Sequence, residues 1–126
     1  TTEIYTLSLH DALPIFDGPS AAISMADLML TMRDAPPAVL AGRPVTAVVD
    51  LARSDTGLPP TDAVVLEIEG GRVVVRPSGT EPMVKVYVEA IAVVDGDLRD
   101  AERSATDRLE ALLTALTAWL DDKADR

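Results

Sequence analysis

Three successive stretches between Ala63 and Val94 read as strands, the first and third with the period-two alternation of half-buried strands, and this pattern constrains the fold more than any other. In the first stretch, Ala63 to Glu69, Val64, Leu66 and Ile68 fall on one face and Glu67 and Glu69 on the other. Gly70-Gly71 comes next, two residues tolerant of positive φ, as a two-residue hairpin turn requires. Arg72 to Arg76 returns as a second strand. After a loop from Pro77 to Pro82, Met83 to Val94 makes a third, with Val84, Val86 and Val88 on one face. The expectation is a three-stranded antiparallel meander.

The flanks supply a fourth strand and two helices. Ala41-Gly42-Arg43-Pro44 reads as a turn, and Val45 to Leu51 as a strand that joins the meander. Ala52 to Thr61, with its Ser, Asp, Gly and two Pro, is a loop. Upstream, Asp17-Gly18-Pro19-Ser20 is a turn with Ser20 as N-cap of a helix. Ala21, Met25, Leu28, Met29 and Met32 recur along one face of that helix and belong to the core. Pro36-Pro37 ends it, since the residue before a proline is pushed out of the α region. Asp95-Gly96-Asp97 turns into a final helix with an apolar stripe of Ala101, Ala105, Leu109, Leu112, Leu113, Leu116 and Leu120. The fold class is α+β: an antiparallel sheet of about four strands with both helices packed on one face. A chain of 126 residues has room for one such domain. With aromatics at 3% against 48% hydrophobic residues, its core must be built from Val, Leu, Ala, Ile and Met.

Thr1 to Phe16 (TTEIYTLSLHDALPIF) differs in character from the rest of the chain and shows no clear period of two or 3.6. It resembles translated sequencing-adaptor read-through, so residues 1–16 are expected to be an unstructured leader, with the domain running from 17 to 126. Nothing functional is assigned to His10, the single histidine. The net charge of −10 argues against nucleic acid as a partner, because backbone phosphates demand a surplus of Lys and Arg. Disulfides and thiolate metal sites are excluded by the absence of cysteine. No apolar run approaches the roughly 20 residues that span a bilayer, and no basic n-region marks a signal peptide, so no membrane partner is expected and the default is a cytoplasmic protein.

The chemistry resides in Arg76-Pro77-Ser78-Gly79-Thr80-Glu81-Pro82. Pro77 and Pro82 remove backbone donors and stiffen the frame. Ser78 and Thr80 offer hydroxyls, Gly79 lets the backbone curl, and successive N–H groups in such a curl form an anion-binding concavity. Arg76 enters the loop and Lys85 lies three residues beyond Pro82, so a hairpin brings both cations to its mouth. The guanidinium matches two phosphate oxygens, and the ammonium adds a point charge. A plain hairpin loop whose hydroxyls cap their own backbone would read the same way on spacing alone. Glu81 opposes an anion unless it points away or pairs with Arg76.

In full, RVVVRPSGTEPMVKVYVEA resembles the phosphate-binding loop of the phosphoglucomutase/phosphomannomutase superfamily, the α-D-phosphohexomutases, with its flanking strands. MRDAPPAVLAGRPV (32–45) and Leu58-Pro59-Pro60-Thr61-Asp62 resemble the lead-in to that loop, and the likeness runs from about Asp17 to the end. The resemblance implies a C-terminal domain with a TATA-box-binding-protein-like fold, which grips the phosphate of the sugar that is not reacting. By motif position the contacts would be Arg76, Ser78, Gly79, Thr80 and Lys85. Many members have Lys where this chain has Met83, and an apolar residue there is also familiar from the phosphoglucosamine branch.

The family reaction, an intramolecular phosphotransfer by an isomerase, needs a phosphoserine beside a histidine, an Asp-rich loop holding Mg2+, and a hexose 1,6-bisphosphate activator. No serine adjoins His10, and Asp95-Gly96-Asp97 lacks the pattern of a metal loop. Catalytic and metal-ligating residues are therefore expected in N-terminal domains of the same polypeptide, with a hexose phosphate as substrate. The alternatives are a phosphoglucosamine mutase fragment and a stand-alone, non-catalytic phosphosugar-binding module.

Overall fold

A computed structural model describes residues 4–14, 21–53, 57, 59–79 and 83–124. Its elements are β1 (Ile4–Pro14), α1 (Ala21–Asp34), β2 (Val39–Leu40), β3 (Arg43–Asp50), β4 (Val64–Ile68), β5 (Gly71–Pro77), β6 (Met83–Val93) and α2 (Leu98–Ala124). The strands form one antiparallel sheet in the order β1-β6-β5-β4-β3-β2. The fold is α+β, and β3 to β6 are the four strands legible in the sequence. Ser20, expected as the N-cap of α1, and the turn before it lie outside the described residues.

The β4–β5 turn sits one residue earlier than Gly70-Gly71. Ile68 pairs with Gly71, so Glu69 and Gly70 make the turn and only Gly70 takes positive φ, at +79°. Gly71 is already in the strand, and it is glycine for a different reason. A Cβ there would lie 2.5 Å from the Glu89 carbonyl oxygen and 3.2 Å from Leu112 Cδ1. The turn before β3 is also tighter than its sequence suggests. Leu40 pairs with Arg43, and the intervening Ala41 and Gly42 both have positive φ, +53° and +75°, as a type I′ hairpin demands.

In place of the unstructured leader expected for residues 1–16, Ile4–Pro14 pairs along the whole of β6, from Ile4 with Val93 to Pro14 with Met83. Two features account for this. Tyr5, Leu7 and Leu9 alternate with Thr6, Ser8 and His10, a short period-two run. β6 is an eleven-residue strand whose second edge would otherwise present its N–H and C=O groups unpaired.

Both helices cover one sheet face. One core unites Leu28, Met29 and Met32 of α1 with the inward strand residues Leu66, Val73, Val75, Val86 and Val88 and with the stripe of α2. That stripe is buried from Ala101 to Leu120, except that Leu113 is only half-buried. α1 stops at Asp34, just ahead of Pro36-Pro37. At the start of α2, Asp97 accepts the Arg99 N–H through Oδ1 at 2.9 Å and the Ala101 N–H through its carbonyl at 3.3 Å, the geometry of an N-cap. Arg108 ties α2 to the sheet by donating to the carbonyls of Gly70 and Ile91. Burial first, and then the nearby Arg43 charge, lower its pKa against the pull of Glu69.

The opposite sheet face carries no helix among the described elements. Residues opposed in register share it in rows: Val65, Val74 and Tyr87; Glu67, Arg72 and Glu89; and Arg76 with Lys85. The last row adjoins the β5–β6 loop.

Candidate phosphate-binding site

The loop is closed at its base by the strands that frame it. Pro77 pairs with Val84, and the Ser78 N–H donates to the Met83 carbonyl at 2.9 Å. The first residues of the loop are thus fixed by the ladder rather than left to solvent. Ser78 is half-buried and Gly79 exposed, while Thr80 lies outside the described residues.

Arg76 and Lys85 are direct cross-strand partners in the β5–β6 register, so the hairpin brings together the two cations that spacing had placed at its mouth. Like charges directly opposite each other destabilise a sheet. Among the described residues no carboxylate forms an ion pair with either one. Arg76 instead donates its Nε–H to the Tyr87 hydroxyl at 3.3 Å, and its guanidinium carbon stands 5.8 Å from the Tyr87 ring centroid, a cation–π contact.

Gly79 differs from the other glycines that the fold requires. Its φ is outside the left-handed region, and a Cβ built on it would meet nothing within 4 Å. Conformation and packing therefore leave the missing side chain unexplained. Bare backbone at an exposed loop tip is what close approach by a ligand calls for.

Beside the loop is an open cleft of about 470 Å³. The stretch from Arg76 to Gly79 forms one side, Met25 and Met29 of α1 a second, and Thr61 with Asp62 a third. Its last wall is pinned by Arg33, which donates from Nε to Asp50 Oδ1 at 3.0 Å and from Nη2 to Asp62. Asp50 also accepts the Ala52 N–H at 3.0 Å. Burial opposes the Asp50 charge, but the Ala52 N–H and the Arg33 guanidinium outweigh it and hold the carboxyl below its ordinary value. For Arg33 burial again works against the charge, and the bonds to Asp62 and Asp50 prevail and raise its pKa. Asp50 and Asp62, on either side of the stretch from Ala52 to Thr61 expected as a loop, are thereby tied to α1.

The chain matches the family model described as phosphoglucomutase/phosphomannomutase, C-terminal domain, over residues 33–104, more than half its length. It belongs to that family. The matched span runs from the end of α1 through all of β2 to β6 and into α2, so it contains the whole of the loop and its strands. A similar protein is the "Probable phosphomannomutase" of Haemophilus influenzae, 40% identical over 77 residues. Those residues make up 60% of this chain and 15% of the relative, so the chain spans a small part of the length of that phosphomannomutase.

Of the expected site residues of this phosphohexomutase domain, Arg76, Ser78, Gly79 and Lys85 gather at one end of the β5–β6 hairpin. Sequence reasoning missed Tyr87 and the Arg33–Asp50–Asp62 network. A signal for Tyr87 was available, since it lies two residues beyond Lys85 and must share its face. The ion-pair network had none, because its members are 17 and 29 residues apart.

Proposed function

We propose that this domain grips the phosphate of a hexose phosphate that is not reacting, and so orients the sugar in a phosphohexomutase. Arg76, Ser78, Gly79, Thr80 and Lys85 make the contacts. The observation that carries this reading is the pair of cations set opposite each other at the loop mouth, without an acidic partner among the described residues. Two like charges directly opposite each other repel, so such a pair is costly unless an anion occupies it. Backbone N–H groups at the bare Gly79 tip would complete the cradle.

Binding energy at the remote phosphate holds the reacting oxygen in place, which is how a non-catalytic domain raises the rate of a reaction elsewhere. The phosphoryl chemistry, with its phosphoserine, Mg2+ and bisphosphate activator, belongs on this reading to the rest of a longer cytoplasmic enzyme. Among the described residues no group of three or more His, Asp or Glu is disposed to hold a metal. The chain alone is proposed to be inactive as an isomerase.

Titration of the chain with glucose 6-phosphate, monitored by amide NMR shifts, tests the reading. The expected result is weak, saturable binding with shifts centred on residues 76–79 and 85. Arg76→Ala should weaken it about 10- to 100-fold, the effect of removing roughly 1.5–3 kcal/mol of charged hydrogen bonding. Binding that ignores Arg76, or shifts confined to another face, would refute it. Turnover of glucose 1-phosphate by the chain alone would refute the proposed inactivity.

A further inference from the structure

We propose that Tyr87 positions Arg76 for anion binding, an inference that rests on the phosphate reading above. Arg76 stands directly opposite Lys85, and mutual repulsion drives the two side chains apart. A long guanidinium without a restraint samples many rotamers, and ordering it on binding would cost affinity. Tyr87 supplies the restraint from a neighbouring position on β6. It pairs in register with Val74, two residues before Arg76, so it lies diagonal to Arg76 on the same face. The diagonal reach is short enough for both observed contacts, the Nε–H···O bond of 3.3 Å and the ring contact at 5.8 Å.

The choice of donor matters. With Nε committed to the hydroxyl, the paired Nη groups stay available as a fork for two phosphate oxygens. The choice of acceptor matters equally. A carboxylate at position 87 would restrain Arg76 more firmly but would cancel the charge the site needs. A neutral phenol restrains it and leaves the positive potential intact, in a chain whose overall field repels anions. Val74 and the buried Val65 continue the cross-strand row of Tyr87 on the same sheet face. A tyrosine that merely covered those valines would serve equally well without its hydroxyl, and this difference makes the proposal testable.

The experiment is a titration of the 126-residue chain with inorganic phosphate, read by amide NMR shifts, for the wild type, Tyr87→Phe, Arg76→Ala and the double variant. Tyr87→Phe retains the ring and should keep the fold, which circular dichroism checks. It should weaken phosphate binding about 3- to 10-fold, the range for losing one hydrogen bond to a charged, half-exposed group. In the Arg76→Ala background the same change should add nothing, because the effect passes through Arg76. The Arg76 Nε–H resonance should also exchange faster with water in Tyr87→Phe. Unchanged affinity in Tyr87→Phe, or an equal loss with and without Arg76, overturns the positioning role while leaving the phosphate site standing. A wild-type chain that binds no phosphate, or binds it independently of Arg76, overturns the phosphate reading and the inference together.

Discussion

Gly71→Ala tests the packing argument most sharply, because two opposing effects can be weighed from the geometry. Alanine removes backbone freedom from the unfolded chain, a gain of about 0.4–1 kcal/mol where the native conformation tolerates it. Here the φ of Gly71 is ordinary, and that gain is available. The new methyl, however, would stand 2.5 Å from the Glu89 carbonyl oxygen and 3.2 Å from Leu112 Cδ1. The leucine tip can give, but the carbonyl belongs to β6, whose position is fixed on both edges by β1 and β5. Gly71 and its register partner Ala90 make a row of small residues on the sheet face that α2 covers. Relieving the contact means prying β5 from β6 or lifting α2. Overpacking of this kind costs roughly 1–3 kcal/mol and exceeds the entropic gain. The net loss of about 1–2 kcal/mol should lower Tm by roughly 3–12 °C for a chain of this size, at about 3–6 °C per kcal/mol. Thermal unfolding monitored by circular dichroism measures it, with urea unfolding as a check that the m-value is preserved. Gly79→Ala is the matched control. Open space surrounds that position, so its Tm should change by no more than about 2 °C while phosphate binding weakens. Equal Tm for Gly71→Ala and the wild type would refute the reasoning.

Leu112→Ala should destabilise the domain by about 2–5 kcal/mol, because Leu112 is fully buried at the centre of the α2 stripe; chemical denaturation measures it. Asp97→Ala should cost about 1 kcal/mol through loss of the α2 N-cap, with exchange of the Arg99 amide increasing more than that of core strand amides. The Asp50 carboxyl has a folded pKa below its ordinary 3.8, so its stabilising contribution is present above that pH and is lost as pH falls through the folded value. Asp50→Asn should therefore be less stable than the wild type at pH 7, and the difference should shrink at about pH 2.5; urea midpoints at the two pH values test this.

The meander and both helices were legible because their residues solve local problems. Val64, Leu66 and Ile68 had to share a face, and Pro36-Pro37 had to end α1. The position of the β4–β5 turn was not legible, since two adjacent glycines look alike in sequence. Only the approach of the Glu89 carbonyl and Leu112 separates Gly71, which must lack a side chain, from Gly70, which must take positive φ. The β1 strand escaped notice because its alternation is interrupted by Asp11, where Leu7 and Leu9 had set an apolar period. What orders it is the open edge of β6, far away along the chain. Within the site, Arg76 and Lys85 were legible through the hairpin register. The clamp of Arg33 on Asp50 and Asp62 was not, because ion pairs between distant elements leave no spacing to read.

On the proposed reading, the arrangement of these parts suits a small domain to anchoring a phosphate. An anchor raises a rate only if it holds its ligand in one place, so any mobility in the anchor itself subtracts from the orientation it confers. Arg76 and Lys85 both stand on β5 and β6, the central pair of the meander with β1 and β4 on either side, and the loop begins from a backbone bond between Ser78 and Met83. In the cleft beside the loop, the wall at Thr61 and Asp62 lies in a loop of its own, yet Arg33 fastens it to α1, whose Met29 and Met32 are buried in the core. Each side of the cleft thus traces back to the same packed interior within a few residues. Function here depends on stability in a direct way: substitutions such as Gly71→Ala, which touch no ligand, should loosen the register that sets Arg76 against Lys85 and weaken phosphate binding along with the fold.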